Sequence, residues 1–245
     1  MPAVQRQVDI GNKILKALPQ HEFTRLVEHL ERVHLEKGEV VYRVGNTIRY
    51  AYFPSNGLLS LVSTTEIGDS IELAMVGNEG MVGLAMIAQS RTISYDVTVP
   101  VATDAWRVKV EVLQEEFDRR EGLHDLVLAY VNMLMTQISQ SSICHRFHTL
   151  EEALSNWLLV VRVRVNSNTL NLTQELISNA LGVPRTGVTV AAGSLQRAGL
   201  IRYSRGKIVI LDPAKLEDKA CECYRIIRDN INQFPNGSSA SPSQP

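Results

Sequence analysis

The stretch that most constrains this chain is the forty residues from Leu172 to Leu211, LTQELISNALGVPRTGVTVAAGSLQRAGLIRYSRGKIVIL. Thr173 offers an N-cap hydroxyl, and Gln174 and Glu175 follow in the first turn, where a helix N-terminus favours negative charge. Leu176, Ile177, Ala180 and Leu181 then share one helical face. Gly182 ends the helix, because glycine takes the left-handed C-cap conformation without steric cost. Pro184 suits the first turn of a second helix, in which Val188, Ala192 and Leu195 form a buried stripe at i, i+4 and i+7. Two helices joined by so short a glycine-containing turn have the layout of a DNA-binding helix-turn-helix.

The other face of the second helix carries Arg185, Thr186, Thr189, Gly193 and Arg197, with no carboxylate among them. Small residues there let a helix sit deep in a groove. Gly199 closes it. Leu200–Tyr203 and Lys207–Leu211 read as two short strands around Ser204-Arg205-Gly206, a hairpin tip with cations beside it. A basic hairpin next to such a helix can rest on phosphates as a wing.

Charge is distributed accordingly. The 245 residues have a formal net charge of −1. Residues 145–212 hold eight Lys/Arg against four Asp/Glu, which leaves 17 against 22 in the remainder. A basic reader attached to a more acidic partner domain is the expected electrostatic footprint of nucleic-acid binding confined to one domain. An apolar content of 44 % and a mean hydropathy of −0.04 indicate a globular chain with ample length for a core. No apolar run reaches the ~18 residues of a membrane span, and the N-terminus lacks a signal-peptide pattern. Three cysteines (Cys144, Cys221, Cys223) cannot form a disulfide framework. These features lead us to expect a cytoplasmic protein without a membrane partner.

Residues 9–32 read as helices, with Ile14, Leu15 and Leu18, then Phe23, Leu26, Val27 and Leu30, at helical spacing. From Val33 the pattern changes to short β-rich runs broken at Gly38, Gly45, Gly57, Gly68 and Gly77, at intervals of 7, 12, 11 and 9 residues. That rhythm suggests a small barrel or roll. Val112–Phe117 reads as a short helix. A long helical pattern then runs from Leu123 to Cys144, about 33 Å at ~1.5 Å per residue. Its apolar stripe, Val127, Tyr130, Leu134 and Ile138, fits either a long core helix or an interhelical seam. Thr149-Leu150-Glu151-Glu152 is a capping box opening another helix, which places a domain boundary at about 144–148. After Asp212-Pro213 one amphipathic helix is expected to about Gln233. PNGSSASPSQP at the end has the composition of a disordered tail.

The run Leu181-Gly182-Val183-Pro184-Arg185-Thr186-Gly187-Val188-Thr189, followed by Leu195-Gln196-Arg197-Ala198-Gly199-Leu200-Ile201, resembles the signature of Crp/Fnr-type bacterial transcription regulators. Cys221-Glu222-Cys223-Tyr224 is common in one branch of that family, and the resemblance extends more weakly over roughly residues 13–230. It implies an α+β chain in four parts. These are an N-terminal cyclic-nucleotide-binding-like β-roll (9–122), a dimerisation helix (123–146), a winged helix-turn-helix with a C-terminal helix (147–233) and a disordered tail (234–245). Leu35-Glu36-Lys37-Gly38-Glu39-Val40-Val41-Tyr42 and Gly45 match the opening turn of the roll. The stripe Val127, Tyr130, Leu134 and Ile138 becomes the seam of a homodimer.

The resemblance also implies roles. Arg185 stands at the N-terminal end of the second helix, the end that meets base edges, and the matching arginine of the family reads guanine. Thr186 and Val190 lie near enough to touch a thymine methyl. Thr173, Thr189, Arg205 and Lys207 would hold phosphates. Double-stranded DNA, a second copy of the chain and RNA polymerase are the expected partners.

The sequence departs from the family in its ligand chemistry. Nucleotide-binding members use a Gly-Glu pair for the ribose hydroxyl and a following Arg-Ser or Arg-Thr for the cyclic phosphate. Here Met81 follows Gly80 and Leu84 follows Gly83, while Arg91-Thr92 stands where the arginine half would be. An apolar side chain against a ribose hydroxyl leaves it unpaired, at a cost of about 1–3 kcal/mol. Gly80, Gly83, Arg91 and Thr92 therefore read as a degenerate effector pocket, with Arg91 a surface arginine. The effector itself is unidentified.

Cys144, His145 and His148 cluster at the hinge, and the four-residue spacing of Cys144 and His148 would permit a metal site, but no fourth ligand is evident nearby, and a polar joint between helices is the favoured reading. Cys221 and Cys223 read as thiols on a helix with no partner pair. The N-terminal cysteines of iron–sulfur members are missing, so no metal and no cofactor is expected. No P-loop, Gly-x-Ser-x-Gly or His-Glu-x-x-His pattern occurs, which argues against an enzyme. A competing reading is a cyclic-nucleotide-responsive module whose winged domain contacts protein.

Overall fold

A computed structural model describes residues 7, 10–90 and 92–235. Two short helices, α1 (Lys13–Ala17) and α2 (Gln20–Val27), precede the sheets. Asn12 fixes their start. Its Oδ1 accepts from the backbone N–H groups of Ile14 and Leu15, and its Nδ2 donates to the carbonyls of Pro54 (2.9 Å) and Gly80 (2.8 Å). A fully buried amide with all these partners ties the N-terminal segment to the roll at no desolvation deficit.

The roll consists of two antiparallel sheets. Strands β1 (Glu31–Leu35), β3 (Tyr50–Pro54) and β7 (Thr103–Lys109) form one, in the order β1-β7-β3. Strands β2 (Val40–Tyr42), β4 (Leu58–Thr64), β5 (Ser70–Val76) and β6 (Asp96–Val101) form the other, in the order β2-β6-β4-β5. Ala51, Phe53, Leu58, Leu59, Leu61, Ala74, Val97 and Val99 fill the space between them. Strand β1 begins at Glu31, earlier than the apolar pattern suggested, because Glu31 pairs with Arg107 across the ladder through backbone and side chain. A 3-10 turn at Leu84–Ala88 and helix α3 (Val110–Asp118) complete this unit.

Helix α4 (Gly122–Phe147) is 26 residues long, about 39 Å at ~1.5 Å per residue. The Glu22 carboxylate, buried, accepts from the N–H groups of Gly122 (2.9 Å) and Leu123 (2.8 Å), so a negative charge satisfies the orphan donors of its first turn. Helix α5 (Leu150–Val165) follows after a break at His148–Thr149, and the Thr149–Glu152 capping box is present. Next come β8 (Thr169–Leu170), α6 (Gln174–Leu181), α7 (Arg185–Arg197), β9 (Ile201–Ser204) and β10 (Lys207–Ile210). Strand β8, too short to show a sequence period, extends the β9–β10 hairpin into a three-stranded sheet by pairing with β10.

The C-terminal segment differs from the single helix expected. It forms α8 (Pro213–Lys219) and α9 (Glu222–Gln233), broken at Ala220, whose extended backbone turns Cys221 into the α9 N-cap residue. Phe234, the first residue of the expected 234–245 tail, is buried, with its ring 6.2 Å from that of Tyr130. Residues 236–245 of that tail lie outside the described residues.

Two buried polar contacts join the helix-turn-helix side to the roll. Trp157 on α5 donates its Nε1–H to Glu72 on β5 at 2.8 Å, and Ser60 donates to the same carboxylate. Arg164, also on α5, pairs with Glu79 at 2.7 Å and donates to Gln137 of α4 at 2.7 Å, with both charged side chains nearly inaccessible. One arginine thus links the roll, the long helix and the DNA-reading side.

Candidate nucleic-acid interface

Local punctuation builds the helix pair. Thr173 caps α6 by accepting from the Leu176 N–H at 3.2 Å, and Gly182 ends it at φ 62°. Pro184 takes the N-cap position of α7 rather than its first turn. Ile177, Ala180 and Leu181 of α6 and Val188, Ala191, Ala192 and Leu195 of α7 are buried. The remaining face of α7 points outward. Arg185, Thr186, Thr189, Val190 and Arg197 are exposed, Val190 at 70 %. A single exposed apolar side chain is ordinary on a protein surface; what singles out Val190 is its place on the outward face of α7, where a thymine methyl is a fitting surface for it.

The hairpin tip is a two-residue loop. Ser204 pairs with Lys207, and Arg205 (φ 47°) and Gly206 (φ 78°) both take positive φ, the signature of a type I′ turn. Arg202, Arg205 and Lys207 are exposed there. A Cβ built on Gly206 would lie 3.7 Å from Thr173 Cγ2, so the tip stands beside the N-terminus of α6. The sequence-selected phosphate residues Thr173, Arg205 and Lys207 are thereby brought into one region. Thr189 lies on α7, where its hydroxyl donates to the Arg185 carbonyl (2.9 Å) and accepts from Gln174 Nε2 (3.1 Å). Gln174, a first-turn residue of α6 with no site role expected from the sequence, thus bridges the two helices at the reading end.

The outward face of α7 has no carboxylate of its own, but Glu175 of α6 reaches Arg185 at 2.9 Å, with both side chains well exposed. Such a surface pair is worth about 0–1 kcal/mol, so a guanine or a phosphate displaces it cheaply. Thr173 and Glu175 also line a cleft of about 550 Å³ between α6 and the roll, opposite Lys37, Ser70 and Asp96. Lys37 crosses near it to donate to the Asn171 carbonyl at 2.7 Å.

The effector cassette is placed by packing. A Cβ on Gly80 would collide with the Tyr130 ring, and one on Gly83 (φ 107°) would lie 2.9 Å from Ala51 Cα. Both glycines are thus accounted for by close approach within the core. Met81 is fully buried, and Thr92 pairs with Thr47 in an isolated bridge. Arg91 lies outside the described residues.

The expected seam is corrected. Val127, Tyr130 and Leu134 are 0 %, 1 % and 8 % exposed, because they face the chain's own core, and Ile138 packs partly against it. The large apolar residues that α4 leaves open are Leu128 (43 %), Met135 (56 %), Ile143 (40 %) and, at its end, Phe147 (74 %), with half-buried Val131 between the first two.

The cysteines bring a second correction. Cys221 and Cys223 do have partners: Cys144 and His148, with one ligand atom from each of the four lying within 4.8 Å of the others. The hydrogen bond from Cys144 pulls the Cys221 thiol below its ordinary value.

The fold and this interface define a DNA-binding regulator with a sensor-type roll attached. The cyclic nucleotide-binding domain model matches residues 32–120, and the Crp-like helix-turn-helix domain model matches residues 152–219. The chain belongs to the Crp/Fnr family of transcription regulators. Members of this family bind DNA through the helix-turn-helix, typically act as dimers, and are generally not enzymes. The global nitrogen regulator of Synechococcus elongatus is 21 % identical over 204 residues, covering 78 % of this chain and 90 % of that protein. A Crp/Fnr-family regulator from Eubacterium rectale superposes with a TM-score of 0.67 at 21 % identity, over 82 % of this chain and 94 % of that one. FixK2 of Bradyrhizobium japonicum superposes with a TM-score of 0.68 at 16 % identity, over 78 % and 98 %. At these identities the two structures share the fold. No helix among the described residues is long and apolar enough to cross a membrane.

Proposed function

We propose that this regulator acts in the cytoplasm as a homodimer on a pseudo-palindromic operator, contacting RNA polymerase and catalysing no reaction. Arg185 reads a guanine, with Thr186 and Val190 against neighbouring bases. Thr173, Thr189, Arg205 and Lys207 hold phosphates and set the register. The observation that carries this reading is the open face of α7, whose own residues are cationic or neutral, flanked by the Arg205–Lys207 tip beside Thr173. The pairing surface is the outer face of α4 around Leu128, Val131 and Met135, because Leu128 and Met135 are open to solvent in the single chain and Val131 between them is only half-buried. Cyclic nucleotide is not the effector, since Met81 and Leu84 stand where a ribose-binding glutamate is needed and Gly80 is filled by Tyr130.

The test is selection of binding sites from a random duplex library by the full-length chain without added ligand, followed by affinity measurements over a salt series. The expected result is an inverted repeat with half-sites ~34 Å apart and a steep loss of affinity with salt. Enrichment of no sequence, or salt-independent capture, would overturn the reading and favour a winged domain that contacts protein.

A further inference from the structure

At the joint between the long helix and the DNA reader lie four side chains that the regulatory function does not use. Cys144 closes the last turn of α4, His148 caps that helix, and Cys221 and Cys223 open α9. All three thiols are buried, and the His148 side chain is 15 % exposed. We propose that these residues bind a single zinc(II) ion in a closed Cys3His site that pins α9 to the end of α4.

The distances support one ion. Cys144 Sγ and Cys221 Sγ are 3.5 Å apart, and Cys223 Sγ is 3.7 Å from His148 Nδ1. With Zn–S near 2.3 Å and Zn–N near 2.05 Å, the edges of a tetrahedron are about 3.8 Å for S···S and about 3.6 Å for S···N. The four ligand atoms lie within 4.8 Å of one another, so small side-chain rotations close the remaining edges. An iron–sulfur cluster separates its thiolates more widely than this. A Cys144–Cys221 disulfide would leave Cys223 and His148 converging on nothing.

The surroundings fit as well. His148 turns Nδ1 toward the thiols and Nε2 toward Glu222 Oε2 at 3.3 Å, the carboxylate–histidine–metal arrangement that fixes the tautomer and raises ligand basicity. Asn156 donates Nδ2–H to Cys144 Sγ at 3.5 Å. Cys221 occupies the N-cap of a twelve-residue helix, where backbone N–H groups offset thiolate charge. Four protein ligands leave no open position, so the ion is structural. Its ligands come from both sides of the hinge, and it would set the angle at which the reader leaves the long helix.

The full-length chain, purified under reducing conditions, is analysed for metal and then reconstituted with cobalt(II). One zinc per chain is expected to survive dialysis, and cobalt should give thiolate charge-transfer bands with intense tetrahedral d–d bands. Cys223→Ser and His148→Gln should each lose the ion. Because either variant could misfold, the wild type is also stripped with a chelator: its thermal transition should fall and be restored by zinc but not by magnesium. Substoichiometric zinc with a weak octahedral cobalt spectrum would overturn the proposal. So would chain isolated anaerobically without added reductant whose intact mass is lower by two hydrogens, which would make Cys144 and Cys221 a redox pair instead.

Discussion

Replacing Glu72 with glutamine should make this protein more stable above neutral pH and leave it little changed in mild acid. Glu72 is 7 % exposed and accepts hydrogen bonds from Trp157 Nε1 and Ser60 Oγ. Burial pushes its carboxyl up from 4.5 to about 7, against the opposing pull of those two donors and of Arg164. A carboxyl whose folded value is raised binds its proton more tightly folded than unfolded. The stability it contributes is therefore fully present below pH ~4.5 and lost as pH rises through about 7. The gap between the two values, at about 1.4 kcal/mol per pH unit, amounts to about 3 kcal/mol. Glutamine keeps an acceptor for Trp157 and can donate to Ser60, without a charge to desolvate. Urea unfolding followed by tryptophan fluorescence should show Glu72→Gln and wild type within about 1 kcal/mol near pH 5. Near pH 8 the variant should be up to about 3 kcal/mol more stable. His145 lines the same small cavity, and burial lowers its value, so the variant comparison is what assigns the transition. If Glu72→Gln destabilises equally at both pH values, the carboxylate is charged and paired throughout, and the desolvation argument fails.

Other perturbations test other parts. Leu128→Lys with Met135→Lys should yield monomers in sedimentation, because like charges would meet in the proposed seam; an unchanged dimer would place the interface elsewhere. Arg164→Leu should destabilise by about 3–5 kcal/mol in denaturant titration, since it strands the Glu79 carboxylate in the core, while adding Glu79→Gln should recover part of that loss. Calorimetric titration with cyclic AMP and cyclic GMP should give no micromolar binding; such binding coupled to tighter operator affinity would refute the degenerate cassette.

The DNA-reading unit was legible in the sequence because its punctuation is local. Thr173, Gly182, Pro184, Gly199 and the Arg205-Gly206 tip each act on their immediate neighbours. The roll was legible from its glycine rhythm. The seam was not. Helical period groups Val127, Tyr130 and Leu134 on one face, but says nothing about which body covers that face, and α4 carries apolar residues on its opposite face too. The cysteine cluster was hidden for a different reason. Cys144 and Cys221 are 77 residues apart, and only the break at Ala220, which carries neither proline nor glycine, turns the Cys221–Cys223 segment back onto the end of α4. Glu175 was assigned to helix capping, and its reach to Arg185 depends on the angle between two helices.

The central claim is that Arg185 reads sequence while the wing holds phosphate. Arg185→Ala and Lys207→Ala should be titrated on the selected operator and on its single-base variants over a salt series. The account predicts that Arg185→Ala costs about 1–3 kcal/mol per half-site and relaxes preference at one base pair. Lys207→Ala should weaken every duplex alike and flatten the salt dependence. Uniform loss of affinity in Arg185→Ala, with preference intact at every position, would make Arg185 a phosphate contact and contradict the assignment of α7 as the reading helix.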